Sequence, residues 1–246
     1  RKDRSIAAVV FRVDSPGGSA VASDIIWREV ILTKNEKPVV ISMSDMAGSG
    51  GYWISMSAHK IVAHPQTLTG SIGVIFGKFS FSDLLDKIGV TGETITYGKR
   101  ADMLSPHRTL TLEERDFLNN EIQCTYDLFI KKVAEGRGLA EEKVHEIGQG
   151  RVWTGRQAKD LGLVDEIGGI NRAVELAKEL AGIPSDEKTK FVVWPRTVSF
   201  IDLLFSKPSI DTRIVFSFRL QRLIWILKLL EHDSIWALMP SWIAPE

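Results

Sequence analysis

Residues 6–13 (IAAVVFRV) are an almost unbroken apolar run that stops at Asp14-Ser15-Pro16-Gly17-Gly18. A short apolar run closed by Pro and Gly reads as a buried strand ending in a turn. From Ser19 to Thr33 the pattern changes. Val21, Ile25, Ile26, Val30 and Ile31 recur at helical spacing, with Ser19 or Ser23 placed to cap the first turn. After a polar turn at 34–38, Val39 to Met43 (VVISM) is a second buried strand. Strand, helix and strand in this order predict a right-handed parallel unit.

The alternation continues. The spacing predicts a helix over 49–58, a short strand over 60–63, a Gly-broken apolar segment over 69–75, an amphipathic helix over 79–88 and a strand at 93–97 (ETITY). A loop over 98–109 leads into a long helix reaching about Gly136, whose apolar face includes Phe117, Leu118, Ile122, Tyr126, Phe129, Ile130 and Val133. Helices over 140–147 and 155–161, a strand at 163–166 and a helix over 169–181 follow. Strands alternating with helices predict an α/β domain around a mostly parallel sheet. The composition shifts after Ile183, so residues 1–183 are read as one domain and 184–246 as a C-terminal extension. In the extension, residues 191–194 are read as a last strand. Residues 214–230 (IVFSFRLQRLIWILKLL) are read as a helix, either an oligomer contact or a basic amphipathic segment lying on a membrane surface.

Composition narrows the classes. The 246 residues carry 31 basic and 31 acidic side chains, a formal net charge of +0. That balance argues against a nucleic-acid partner. A single cysteine, Cys124, excludes an internal disulfide and thiolate-rich zinc sites. The five histidines, at 59, 64, 107, 145 and 232, form no H-E-x-x-H pair, so neither metal nor cofactor is expected. No stretch of about 18 uncharged apolar residues reads as a membrane span. The opening RKDRSIAAVV has neither an initiator Met nor a signal peptide and runs almost at once into a strand, as a piece cut from a longer chain would.

Three glycine-rich turns carry the candidate chemistry: Ser15-Pro16-Gly17-Gly18, Ala47-Gly48-Ser49-Gly50-Gly51 and Thr69-Gly70-Ser71-Ile72-Gly73. Glycines at the carboxyl ends of strands let backbone N–H groups approach a ligand closely, and paired N–H donors stabilise a developing oxyanion. Ser49, between a strand and a helix, is in the position of a nucleophile at a tight elbow, although Ala47 stands where such elbows usually have Gly. A plain helix cap is the simpler role for that serine. Neither phosphate-loop pattern is present, which argues against nucleotide binding. Tyr52, Trp53 and Ile75 are read either as walls of a substrate pocket or as core.

RVDSPGGSAVAS (12–23), KPVVISMSDMAGSGGYWIS (37–55), LTGSIGVI (68–75) and GRVWTGRQAKDLGLVDEIGG (150–169) together resemble the signal peptide peptidase A family, also called protease IV. The resemblance spans most of residues 6–181 and implies a fold related to the Clp protease and crotonase folds. It implies a serine endopeptidase with a Ser–Lys dyad that cleaves remnant signal peptides or other apolar peptides. By the same resemblance Ser49 is the nucleophile, and Ser71 orients the lysine. Gly17 or Gly18, with Gly50, supplies the oxyanion N–H groups. A lysine amine is nearly all protonated at pH 7, and burial in an apolar site is what makes it a usable base.

The chain departs from single-domain members where the lysine should stand, just before Asp102; that residue is Ala101. Two-domain members keep the serine in their C-terminal half and take the lysine from their N-terminal half, so this chain reads as such a half, inactive alone. Lys99 is the rival base, displaced by two residues. The family also implies self-association into bowl-shaped oligomers and a membrane-associated site, at the bacterial inner membrane facing the periplasm. Two other readings stand beside this one. The first is a non-catalytic oligomerisation or peptide-binding half. The second is a crotonase-like acyl-CoA enzyme using the same glycine-rich oxyanion hole.

Overall fold

A computed structural model describes residues 1–194 and the strand 235–238. Its first sheet is built on one long strand. β3 (Val39–Gly48) pairs in parallel with β1 (Val9–Ser15) on one side. On its other side it pairs first with β4 (Lys60–Ala63) and then, further along, with β5 (Leu68–Gly70), both also parallel. β8 (Glu166–Ile167) extends the sheet parallel to β4, and β7 (Val152–Thr154) closes it antiparallel to β5. This is the mostly parallel α/β sheet that the alternating pattern predicts.

Both faces of the sheet are covered. Val39, Ile41 and Met43 belong to one core with Tyr52, Trp53, Phe129 and Val133, whereas Val40 joins Val62, Ala173, Leu176 and Ala177 in a second. The period-2 alternation of strand side chains sends neighbours to opposite faces, and so VVISM reads as a continuous apolar run. On the first face lie α1 (Ala20–Lys34), α2 (Gly50–Trp53), α4 (Leu112–Arg137), α5 (Glu141–Ile147) and α6 (Gly155–Asp160). On the second lies α7 (Ile170–Leu180). The cap expected at Ser19 is present, and α4 has one that the sequence reading did not name. The Ser19 side chain accepts from the Ala22 N–H at 3.1 Å, and Thr111 with Glu114 forms a reciprocal capping box at the start of α4.

Four expectations are corrected. The helix predicted over 49–58 is the single turn α2, followed by hydrogen-bonded turns. The helix predicted over 79–88 is shortened to α3 (Ser82–Lys87). Residues 93–97 are not a strand: Ile95 and Tyr97 stand almost fully exposed, and among the described residues no neighbouring strand reaches them. Residues 191–194 are not a strand either. The helix expected over 214–230 lies outside the described residues. A second, unexpected sheet joins β2 (Gly17–Ser19), β6 (Ile75–Phe76) and β9 (Ile235–Leu238), with β9 in the middle.

Candidate functional site

The register of the first sheet brings the three glycine-rich turns together. Ala47 of β3 is opposite Ser15 of β1, and Gly48 is opposite Gly70 of β5. Ser49 and Ser71 therefore each stand one residue beyond a paired position, at the carboxyl ends of adjacent parallel strands. The Ser15-Pro16-Gly17-Gly18 turn lies on the other flank of β3. This is where open α/β sheets place their ligands.

Ser49 has φ 51° and ψ −113°, and Ser71 has φ 48°. Positive φ at a non-glycine residue costs roughly 1–3 kcal/mol and persists only where the surroundings enforce it. At Ser49 three hydrogen bonds do so. Its N–H donates to Gly70 O at 2.9 Å, its O accepts from the Trp53 N–H at 2.8 Å, and its Oγ donates to Gly73 O at 3.2 Å. At Ser71 the N–H donates to Arg151 O at 2.8 Å, and the Gly150 N–H donates to Ile72 O at 2.8 Å. The 150–154 segment thus clamps the second serine turn from outside.

Two glycines are required by space. A Cβ on Gly51 would lie 2.7 Å from Ser15 O, so only glycine lets the end of β1 pass the start of α2. Gly70 has φ +76°, and a Cβ there would lie 2.8 Å from Trp153 Cδ1. The first N–H groups of any helix lack intrahelical acceptors, which leaves the Gly50 N–H available beside Ser49. The Gly17 N–H donates to Ser15 Oγ at 3.1 Å, so it is already engaged within the turn.

Behind Ser49, α2 is anchored in the core. Tyr52 and Trp53 are fully buried, which makes them core residues and not pocket walls; Ile75 lies half-buried in β6. Tyr52 OH donates to Leu163 O at 2.9 Å, and burial pushes its phenol pKa up. Trp53 packs on Phe129 with ring centroids 4.4 Å apart and donates from Nε1 to Asp24 at 3.2 Å. Asp24 also pairs with Lys132, whose Nζ lies 3.5 Å from the Trp27 ring centroid. Sequence spacing did not single out this Asp24–Lys132 pair. Its members lie on α1 and α4, and only the fold brings them together.

The segment expected to carry a base is built differently. Arg108 makes a two-pronged pair with Asp102, at 2.7 Å to each oxygen, and a second with Glu114, at 2.6 and 2.7 Å. These contacts hold the Asp102 carboxyl below its usual range and Glu114 at about 2. Ala101 sits in this anchored turn with no side-chain group to accept a proton. Lys99 is largely exposed and pairs with Glu113 at 2.7 Å. Lys78 donates to Arg108 O at 2.7 Å, and partial burial followed by the Arg108 charge lowers its pKa. Among the described residues no lysine amine hydrogen-bonds to Ser49 or Ser71. Nor does any group of three His, Cys, Asp or Glu among them suit a metal ion.

A family model described as peptidase family S49 matches residues 31–184. The chain is 45% identical over 206 residues to the serine protease SPPA, chloroplastic, of Arabidopsis thaliana, covering 83% of this chain and 30% of that one. It is 43% identical over 185 residues to Protease 4 of Haemophilus influenzae, covering 75% of this chain and 30% of that one. The chain thus spans about 30% of the length of these two relatives. Among solved structures, a ClpP1 mutant from Listeria monocytogenes aligns with TM-score 0.44 and 18% identity, covering 67% of this chain and 76% of that one.

Proposed function

Since the chain belongs to peptidase family S49, we propose that it is the serine-bearing part of a serine endopeptidase that cleaves remnant signal peptides or other apolar peptides. The observation that carries this reading is the strand register: it sets a strained Ser49 beside Ser71 and beside the Gly17–Gly18 turn. The comparison with a peptidase family displaces the acyl-CoA reading, which has no use for a serine at this elbow.

In the proposed reaction an uncharged lysine amine takes the proton from Ser49 Oγ as that oxygen attacks the peptide carbonyl. The carbonyl oxygen becomes negative and is held by the N–H groups of Gly50 and Gly18. The amine then gives its proton to the departing nitrogen, leaving an acyl-enzyme, and water completes hydrolysis. Ser71 orients the amine. The lysine comes from outside the described residues, from an N-terminal half of the enzyme. The anchored turn at Ala101 and the surface pairing of Lys99 with Glu113 support that source.

Residues 1–183 form the peptidase domain of this proposal, and 184–246 a C-terminal extension for oligomer contact or membrane association. Self-association is part of it, supported by exposed apolar Val21, Ile25 and Ile26 on α1. The proposed setting is a bacterial inner membrane, facing the periplasm. No helix among the described residues is long and apolar enough to cross a membrane.

The test is peptide hydrolysis by the full-length parent carrying Ser49→Ala. Loss of hydrolysis with unchanged folding is the expected result, and retained hydrolysis overturns the assignment. A second reading, a non-catalytic peptide-binding half, is favoured by the full burial of Ser49 and the missing lysine at 101. Labelling of Ser49 by a serine-reactive phosphonate in the complete protein eliminates it.

A further inference from the structure

Ser49 and the Gly17–Gly18 turn belong to different segments, and each runs straight into a helix. β2 passes directly into α1 at Ala20, and Ser49 is the N-cap of α2. Asp24, in the second turn of α1, ties these two helices together. One of its oxygens, Oδ1, accepts from Trp53 Nε1 at 3.2 Å and also from Lys132 Nζ. Trp53 is fully buried, and its backbone N–H donates to Ser49 O at 2.8 Å. On the α1 side, Ser23 Oγ donates to Ser19 O at 2.9 Å, which locks the start of α1 to β2. A chain of hydrogen bonds thus runs from Ser49 through Trp53 to Asp24, one helical turn from the residue that follows Gly18. Beyond α2, Trp27 Nε1 donates to Ser57 Oγ at 2.8 Å, and a Cβ on Gly136 of α4 would lie 2.7 Å from Met56 O. The turns after α2 are therefore held by α1 and α4 as well.

Lys132 is the one lysine buried among the described residues. Its Nζ lies 3.5 Å from the Trp27 ring centroid and 5.5 Å from a Trp53 ring centroid, whereas Ser49 Oγ bonds to Gly73 O. Stability does not call for such a pair, since exchanging a buried ion pair for apolar residues of similar volume is often neutral or stabilising. What a charged pair adds over apolar packing is direction: hydrogen bonds to an ionised group are short and geometrically specific. We propose that Asp24, held by Lys132, is a positioning residue of the site: through Trp53 it sets α2, and with it Ser49, at a fixed distance from the Gly17–Gly18 turn that leads into α1. This role rests on the peptidase reading and adds to it a residue pair outside the reacting groups. In that reaction the oxyanion forms between the Gly50 N–H, on α2, and an N–H of the glycine turn before α1. Sliding one helix against the other separates these donors, and a misplacement of about 1 Å can cost about a hundredfold in rate. The loss arises where charge develops, so it falls on kcat and on kcat/KM alike.

Variants of the complete protein, compared by peptide turnover, urea unfolding and amide hydrogen exchange, test this role. Asp24→Leu combined with Lys132→Met removes both charges at once, so that neither is left buried and unpaired. In this double variant kcat is expected to fall at least about tenfold while KM stays within about threefold. The urea midpoint should hardly move. Exchange across residues 50–56 should quicken at least about tenfold, with residues 39–43 unaffected. Asp24→Asn keeps an acceptor for Trp53 Nε1 and Lys132 Nζ, and is expected to regain most of the lost turnover. Trp53→Phe keeps a ring against Phe129 but has no indole N–H, and is expected to lose kcat as the double variant does; it carries the test should the double variant not fold. Turnover that merely follows the urea midpoint, a loss confined to KM, or exchange across 50–56 indifferent to these substitutions overturns the proposal. A wild-type protein without hydrolysis overturns the peptidase reading instead, and exchange across 50–56 then decides by itself whether Asp24 fixes Ser49.

Discussion

At the carboxyl ends of β1, β3 and β5, position is set by main chain. Ser49 is fixed by three hydrogen bonds to backbone groups, Ser71 is fixed through its own N–H, and the neighbouring glycines are there because backbone passes within contact. Between Lys99 and Glu114, position is set by charged side chains: Arg108 grips Asp102 and Glu114, while Lys99 and Arg100 reach Glu113. The first region is buried and uncharged, suited to presenting one hydroxyl and several N–H donors. The second is a surface turn held rigid by ions, at the place where the family resemblance puts a base and this chain has Ala101. The difference teaches that backbone alone can fix a serine hydroxyl and its neighbouring N–H groups, whereas a surface turn of the same chain is fixed by ion pairs.

The largest expected effect falls in the backbone-built region. Ser49→Ala in the complete protein is expected to lower peptide hydrolysis by at least about a thousandfold, because in the proposed reaction its hydroxyl is the attacking group. Unfolding free energy should fall by only about 1–3 kcal/mol, the cost of losing the Ser49 Oγ–Gly73 O hydrogen bond, which separates chemistry from folding.

Trp53→Ala attacks the support behind that serine. It removes a fully buried ring packed on Phe129, and unfolding free energy is expected to fall by about 3–5 kcal/mol. Gly51→Ala should cost less, about 1–3 kcal/mol, as the new Cβ meets Ser15 O and displaces the end of β1. Its effect on hydrolysis should exceed its effect on stability, since β1 leads into the Gly17–Gly18 turn. Urea denaturation read alongside peptide turnover checks both; a Gly51→Ala protein of full activity breaks the claim that the close approach matters.

The charged region should respond to acid instead. Glu114 and Asp102 both have folded pKa values below their unfolded ones. Their contribution is fully present above the unfolded carboxylate values and is lost as pH falls towards about 2, the folded value of Glu114. Urea midpoints are thus expected to drop between about pH 5 and 2, and Arg108→Leu should flatten that dependence. The smallest effect belongs to Lys99→Ala. Its exposed pairing with Glu113 predicts a stability change within about 0.5 kcal/mol. It also predicts unchanged turnover, whereas a hundredfold loss of turnover would make Lys99 the base after all.

Local pattern carried much of this molecule. The apolar runs at 6–13 and 39–43, the Ser19 and Thr111 caps and the long helix all follow from residues near one another in the chain, and the structure contains each with shifted ends. The three glycine turns and the alanine at 101 were equally legible, being matters of residue type. What the sequence could not settle were events between distant segments. The alternation in residues 93–97 suits a strand, yet a strand exists only where a neighbour accepts its hydrogen bonds, and none among the described residues does. That Gly48 meets Gly70, so that Ser49 and Ser71 become neighbours, is a register decided by the packing of the whole sheet. The same holds for Gly51 under Ser15, for Asp24 against Lys132, and for a strand at 235–238 entering beside Gly17 and Gly18. Periodicity is a local property of the chain, whereas pairing depends on what the rest of the fold brings alongside.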